Sequence, residues 1–278
     1  MGTGPARPRL GSLVVILLAG ALLWTAASAS AIGGVPGTRH WRPPPRTNAW
    51  QWQLQGKIDH DVKAWVYDVD GFEAKKSDVR ALHRHRRRAI CYLDVGSWES
   101  YRPDKGRFPR SVIGRRYAGY PDERWLDISR FRLFAKPLEA RIQMCARKRF
   151  DAVEPDNINA WEPGNKTGFH ITRRDQLHFN RWIARQVHAR GMAVALKNDG
   201  RQARRLIHDF DFAIVEECFQ YHECGYYRPF INHHKAVFEA EYTLGTAKFC
   251  PRALAMRFSA IRKSPDLFAK PWEPCDAL

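Results

Sequence analysis

The sequence predicts an α/β protein built as a single (β/α)8 TIM barrel, and three observations carry that expectation. Eight short apolar runs alternate along the chain with helical stretches. Removing a leader from the 278 residues leaves about 250, the usual size of such a barrel. No GxGxxG or GxxxxGK(S/T) loop follows the first run, so an open doubly wound sheet would lack its usual ligand. No internal repeat and no second domain are evident.

The leader comes first. Arg7 and Arg9 precede an apolar run over 13–23, and Ala27, Ser28 and Ala29 form a small-residue exit. This is the pattern of a secretory signal peptide over 1–29. A membrane anchor is the alternative for such a run, but the small residues favour cleavage and an exported protein. A Pro-rich linker over 30–48 then leads into one domain over 49–278. Six cysteines fit an oxidising compartment. Fifteen pairings are possible. The short loop favours Cys218 with Cys224 and the tail favours Cys250 with Cys275, which leaves Cys91 with Cys145. No CxxC pair or His spacing suggests a metal site, and no cofactor is expected.

Strands are predicted over 50–55, 64–68, 89–94, 150–154, 192–197, 210–215, 236–240 and 258–261. Each is a run of β-branched, aromatic or other apolar residues that closes on polar ones. A helix over 77–88 starts at a plausible cap, Ser77. One over 129–149 is amphipathic. A third, over 172–190, opens on the cap Thr172 and stops at Gly191.

The charge is +17, from 46 basic and 29 acidic residues. That balance raises nucleic acid or an anionic surface as partners. Arg outnumbers Lys 33 to 13, a bias that codon composition produces without a ligand. No nucleic-acid recognition motif is present, and the basic runs read as helix faces. The outer surface is expected at most to touch anionic cell-wall polymer, and the protein to be a monomer.

Chemistry gathers where the predicted strands end, because a barrel's active site forms at that rim. Six of the eight runs are followed by a carboxylate, and Trp52, Trp98, Trp125, Trp161, Tyr67, Tyr92, Tyr221 and Tyr242 interleave with them. Aromatic faces beside hydrogen-bonding carboxylates and amides suit a sugar. Cutting a glycosidic bond needs two carboxyl groups in opposite protonation roles. Several pairs at this rim would serve, and their separation is not written in the sequence.

Several linked motifs narrow the choice. They are 50–56 (WQWQLQG), 67–70 (YDVD), 90–99 (ICYLDVGSWE), 125–128 (WLDI), 150–157 (FDAVEPDN), 196–198 (LKN), 216–221 (EECFQY) and 235–242 (KAVFEAEY). In this order they resemble the endo-α-1,4-polygalactosaminidases, glycoside hydrolase family 114, over almost the whole mature chain. The resemblance implies a metal-independent TIM-barrel enzyme that cuts galactosamine-rich polysaccharide, with Asp156 and Glu216 as its catalytic carboxylates. The family usually has Gln where this chain has Glu217, so either Glu216 or Glu217 is available as the acid. Asp68, Asp70, Glu99, Glu154, Asn157, Lys197, Asn198, Glu217, Glu239, Glu241 and Tyr242 are then the candidate sugar-binding residues. The rival reading is a non-catalytic secreted protein that binds carbohydrate or cell-wall polymer on a barrel scaffold.

Overall fold

The computed structural model describes residue 1, residues 40–45 and residues 49–275. Apart from Met1, the predicted leader lies outside them. The described residues from His40 onward belong to one compact unit. None of their helices is long and apolar enough to cross a membrane.

Eight parallel strands wind in chain order, each hydrogen-bonded to the next. They are β1 (Trp50–Gln53), β2 (Val66–Asp70), β3 (Arg88–Asp94), β7 (Ala152–Asp156), β8 (Ala193–Lys197), β9 (Phe212–Glu216), β10 (Val237–Glu241) and β11 (Ser259–Arg262). Each falls within two residues of a predicted strand at its start. The two-residue β12 (Glu273–Pro274) adds antiparallel to β11. The sheet is nearly closed, with no ladder between β1 and β11. The seam is stitched by the C-terminal segment instead. The amides of Leu54 and Gln55 donate to the Leu267 carbonyl, Trp272 Nε1 donates to the Trp50 carbonyl, and Lys263 Nζ donates to Gln51 Oε1.

Alternate strand residues face opposite sides of the sheet. Trp50, Trp52, Val66, Ile90, Ala152, Ala193, Ala195, Phe212, Ile214, Phe238, Ala240 and Ile261 form one core, inside the barrel. Their chain neighbours, such as Tyr67, Cys91, Val153, Val194 and Val215, pack into a larger core beneath the helices. Both faces are buried, as expected for a parallel sheet.

The helical layer is thinner than eight full crossovers. No helix joins β1 to β2, and two of the six helices among the described residues, α4 (Ala203–Leu206) and α5 (Arg228–Asn232), span only four and five residues. The first predicted helix is α1 (Lys76–Arg84). It stops early because Arg86 takes a left-handed φ of 58°, and Arg88 joins β3. The segment predicted as one helix over 129–149 is split. A 3₁₀ stretch, Ile128–Phe134, with a kink at Arg130, precedes α2 (Ala135–Lys148). Asp127 fixes the kink by accepting from the Ser129 amide and from Arg130 Nε. Pro137 fits without loss because the N–H groups in the first turn of a helix have no intrahelical acceptor. In α3 (Arg173–His188), Thr172 is the expected N-cap, and Asp175 completes a capping box with it.

An unpredicted antiparallel sheet rises between β3 and α2, built from β4 (Ser97–Glu99), β5 (Ile113–Tyr117) and β6 (Tyr120–Leu126). Three disulfides brace the unit: Cys91–Cys145 ties β3 to α2, Cys218–Cys224 closes a loop after β9, and Cys250–Cys275 ties α6 (Thr246–Ala255) to the C-terminal segment.

Gly96 joins β3 to this small sheet with no room for a side chain, since a Cβ there would lie 1.8 Å from the Asn157 carbonyl oxygen. Gly96→Ala is expected to lose about 1–3 kcal/mol through overpacking, read as a lower Tm. An unchanged Tm would contradict this packing.

Candidate active site

The C-terminal ends of β7, β8 and β9 bring Asp156, Lys197 and Glu216 together by the same parity that puts Ala152, Ala193 and Phe212 inside the barrel. Lys197 Nζ is 2.8 Å from Asp156 Oδ1, 2.8 Å from Glu216 Oε2 and 3.5 Å from Glu154 Oε1. Those two outer oxygens are therefore at most twice 2.8 Å, about 5.6 Å, apart. Tyr92 OH donates to Asp156 Oδ2 at 2.9 Å, and the Asn157 amide donates to Oδ1 at 2.7 Å. Tyr242 OH donates to Glu216 Oε1 at 2.6 Å, and Asn198 Nδ2 to Oε2 at 3.1 Å.

Electrostatics separate the groups. Burial alone would raise Asp156, but the Lys197 ammonium and the donors from Asn157 and Tyr92 outweigh it and hold the carboxyl below its ordinary value. Burial likewise opposes the charge on Lys197, and Asp156, Glu216 and Glu154 together hold it well above its ordinary value. The ammonium also sits 5.0 Å from the centre of the Trp52 ring.

The residues that follow the strands are strained. Asn157, Asn198 and Glu217 have φ values of 58°, 47° and 50°, a region that costs a residue with a Cβ on the order of 1 kcal/mol. Side-chain and backbone bonds hold them there. Asn157 Nδ2 donates to Asp94, Asn198 exchanges bonds with Glu216, and the Glu217 amide donates to the Ala240 carbonyl. The turn at Glu217 carries its side chain away from the Asp156 side of the mouth.

A cleft of about 780 Å³ opens over these groups. Of the candidate residues, Asp70, Asp156, Asn157, Lys197, Asn198, Glu216 and Tyr242 line it. Asp70 is already held by Arg102, through bonds of 3.1 and 2.6 Å. Glu217 lines an adjoining arm. Asp68, Glu99, Glu154, Glu239 and Glu241 do not reach the cleft. Asp68 and Glu154 face the barrel interior, fully buried below Lys197. Glu239 and Glu241 have the opposite parity to Phe238 and Ala240 and point away from the interior. Glu241 accepts from the Phe219 and Gln220 amides. Glu99 is locked between Arg102 and Arg141. Of the aromatic candidates, Trp52, Tyr92 and Tyr242 line the cleft and Tyr221 the arm.

Tyr117, Tyr120, Asp122 and Glu123 reach the cleft from the small antiparallel sheet and were not singled out from sequence. Burial pushes Glu123 up to about 7, close to Ser97, Glu99 and Asp156. Among the described residues, seven carboxylates and two cations, Arg102 and Lys197, line the cleft, so the mouth is acidic on a strongly basic chain.

Two groups among the described residues have the donor spacing of a metal site: His40, His188 and Asp211, and Asp94, Glu99 and Glu123. In the first, both imidazoles bond Asp211 at 2.8 Å. In the second, Asp94 accepts from Gly96, Ser97 and Asn157, and Glu99 is held by the two arginines. Ordinary hydrogen bonds and ion pairs account for both.

Beneath Lys197, Asp68 and Glu154 are fully buried side by side, and burial with the neighbouring Glu154 carboxylate pushes Asp68 well above its ordinary value. Burial and neighbouring Asp156, opposed by Lys197, push Glu154 from 4.5 to about 7. The folded state thus binds this proton more tightly than the unfolded one. Its contribution to stability is full below pH 4.5 and is lost as pH rises towards 7. Glu154→Gln should flatten the fall in Tm across that window, whereas Asp68→Asn, which keeps a donor to Glu154, should preserve it. Equal pH dependence in wild type and Glu154→Gln would contradict the assignment.

Residues 35–277 match glycoside-hydrolase family GH114. Among solved structures, Ega3 of Aspergillus fumigatus, in complex with galactosamine, is similar at 33% identity and a TM-score of 0.79, over 84% of this chain and 97% of that one. The glycoside hydrolase domain of PelA from Pseudomonas aeruginosa shares the fold at 12% identity and a TM-score of 0.62, over 81% of this chain and 96% of its own. No curated protein matches the chain. A barrel of this architecture, with a carboxylate-lined mouth and a match over nearly its whole length, belongs to glycoside hydrolase family 114.

Proposed function

We propose that the chain is an exported, endo-acting hydrolase of α-1,4-linked galactosamine polymers, with a leader over 1–29, a linker over 30–48 and a catalytic domain over 49–278. The observation that carries the reading is the single ammonium of Lys197 held between Asp156 and Glu216. Two carboxyl groups about 5–5.5 Å apart are the mark of double displacement, whereas inverting sites stand roughly 6.5–9.5 Å apart. The limit of about 5.6 Å between the Lys197-bound oxygens agrees with the first.

In the first step an Asp156 oxygen bonds to the anomeric carbon as the glycosidic bond breaks, and Glu216 gives its proton to the departing oxygen. The product is a glycosyl ester on Asp156 and a charged Glu216. In the second step Glu216 takes a proton from water, the water oxygen bonds to the anomeric carbon, and Asp156 leaves as a carboxylate. Negative charge passes from Asp156 to Glu216 and back. Lys197 touches both, so it stabilises whichever is charged without moving. The depressed Asp156 suits a group that must stay ionised, and Tyr242 and Asn198 aim Glu216.

The substrate assignment rests on Ega3, whose structure holds galactosamine, and on charge. A deacetylated galactosamine polymer is cationic and meets seven carboxylates in the cleft. The three disulfides agree with an extracellular setting.

The test is product analysis by mass spectrometry on a galactosamine-rich exopolysaccharide. Wild type should release oligosaccharides, and Asp156→Asn and Glu216→Gln should each slow release at least ~10²-fold. Release by Glu216→Gln at the wild-type rate would remove Glu216 from the mechanism.

A further inference from the structure

The cleft continues past Glu216 into a second arm of about 470 Å³. Glu216, Asn198, Tyr117, Tyr120 and Tyr242 border both spaces, whereas Asp156 and Lys197 border only the first. The arm therefore lies on the side of the proton donor. Glu162, Asp199, Glu217 and Glu223 line it, and among the described residues no Lys or Arg does. Tyr221, 64% exposed, offers a ring face at its edge. Tyr227 lines it too; it is 4% exposed, and its hydroxyl has no hydrogen-bond partner among the described residues.

We infer that this arm is a binding site for the leaving-side sugar of the substrate, and that Glu217 selects a free ammonium there over an acetamide. The inference rests on the galactosamine reading. Glu216 protonates the oxygen that departs with the leaving sugar, so that sugar extends beyond Glu216, into the arm. Glu217 Oε1 accepts from Thr243 Oγ1 at 3.1 Å, the Thr243 backbone adds a second bond, and the carboxylate lines the arm. A protonated amine answers a carboxylate both as a charge and as a donor. An acetamide keeps one N–H, loses the charge and adds bulk. Tyr221 stacks against a sugar face, and the Tyr227 hydroxyl supplies a polar partner. Burial, together with the charges of Glu241 and Glu216, raises the Glu217 carboxyl, as in a site short of positive charge.

Binding is measured by calorimetry on protein inactivated by Glu216→Gln, which holds its ligand uncut. The probes are an α-1,4-galactosamine tetrasaccharide and two partly acetylated forms, one carrying acetyl groups on its reducing-end half and one on its other half. The leaving sugar carries the reducing end. The inactivated protein should therefore prefer the free tetrasaccharide over the form acetylated at the reducing-end half. Adding Glu217→Gln should shrink that preference about fivefold, the scale of a solvent-facing charge pair. Preference against the other acetylated form should stay as it was, and Tyr227→Phe should weaken binding of all three without altering selectivity. An unchanged preference in Glu217→Gln, or an equal change for both acetylated forms, overturns the inference while leaving the galactosamine reading intact. Failure of the inactivated protein to bind any of the three overturns both.

Discussion

One ammonium group organises the mouth of this barrel. Lys197 is buried and touches Asp156, Glu216 and Glu154 at once. Three carboxylates gathered around a low-dielectric centre would repel one another strongly, and each would then take up a proton. With Lys197 between them, Asp156 stays charged and the groups stay close. The Asp68–Glu154 pair extends the same balance downward, because burial pushes both carboxyls up and so limits the negative charge held in the interior. Much of the neighbouring architecture fixes this arrangement: the left-handed turns at Asn157 and Asn198, the close approach at Gly96, and the hydroxyls of Tyr92 and Tyr242.

The overall charge of +17 and the acidic cleft are compatible because they occupy different places. Charges on the outer helices are screened over about 10 Å in 0.1 M salt. Carboxylates lining a concave mouth act on a ligand directly, at much shorter range. A cationic polymer therefore meets a local field opposite to that of the molecule as a whole.

Most of the barrel was legible because its strands are short apolar runs that close on polar residues. Asp156, Lys197 and Glu216 were legible as strand-end residues. Depth and direction were not. Glu239 and Glu241 look like rim residues in sequence, but both faces of a parallel strand are buried, so an alternating polar–apolar pattern does not reveal which face turns inward. The register of Ala240 with Glu216 is what settles it. The small antiparallel sheet was missed because β5, with two consecutive arginines, lacks both alternation and an apolar run. Its contributions to the cleft, Tyr117, Tyr120 and Glu123, went unseen with it. The helix predicted over 129–149 is shorter in the structure because its amphipathic pattern runs through a kink set by Asp127 side-chain bonds.

The spacing imposed by Lys197 has a stereochemical consequence. Proton NMR of the first sugar ends released from an α-1,4-galactosamine oligosaccharide reads it directly, before mutarotation scrambles the anomers. The account predicts the α anomer, retained through two displacements at one carbon. Initial release of the β anomer would mean a single displacement by water, and the arrangement of Asp156 and Glu216 around one ammonium would then not be the working geometry.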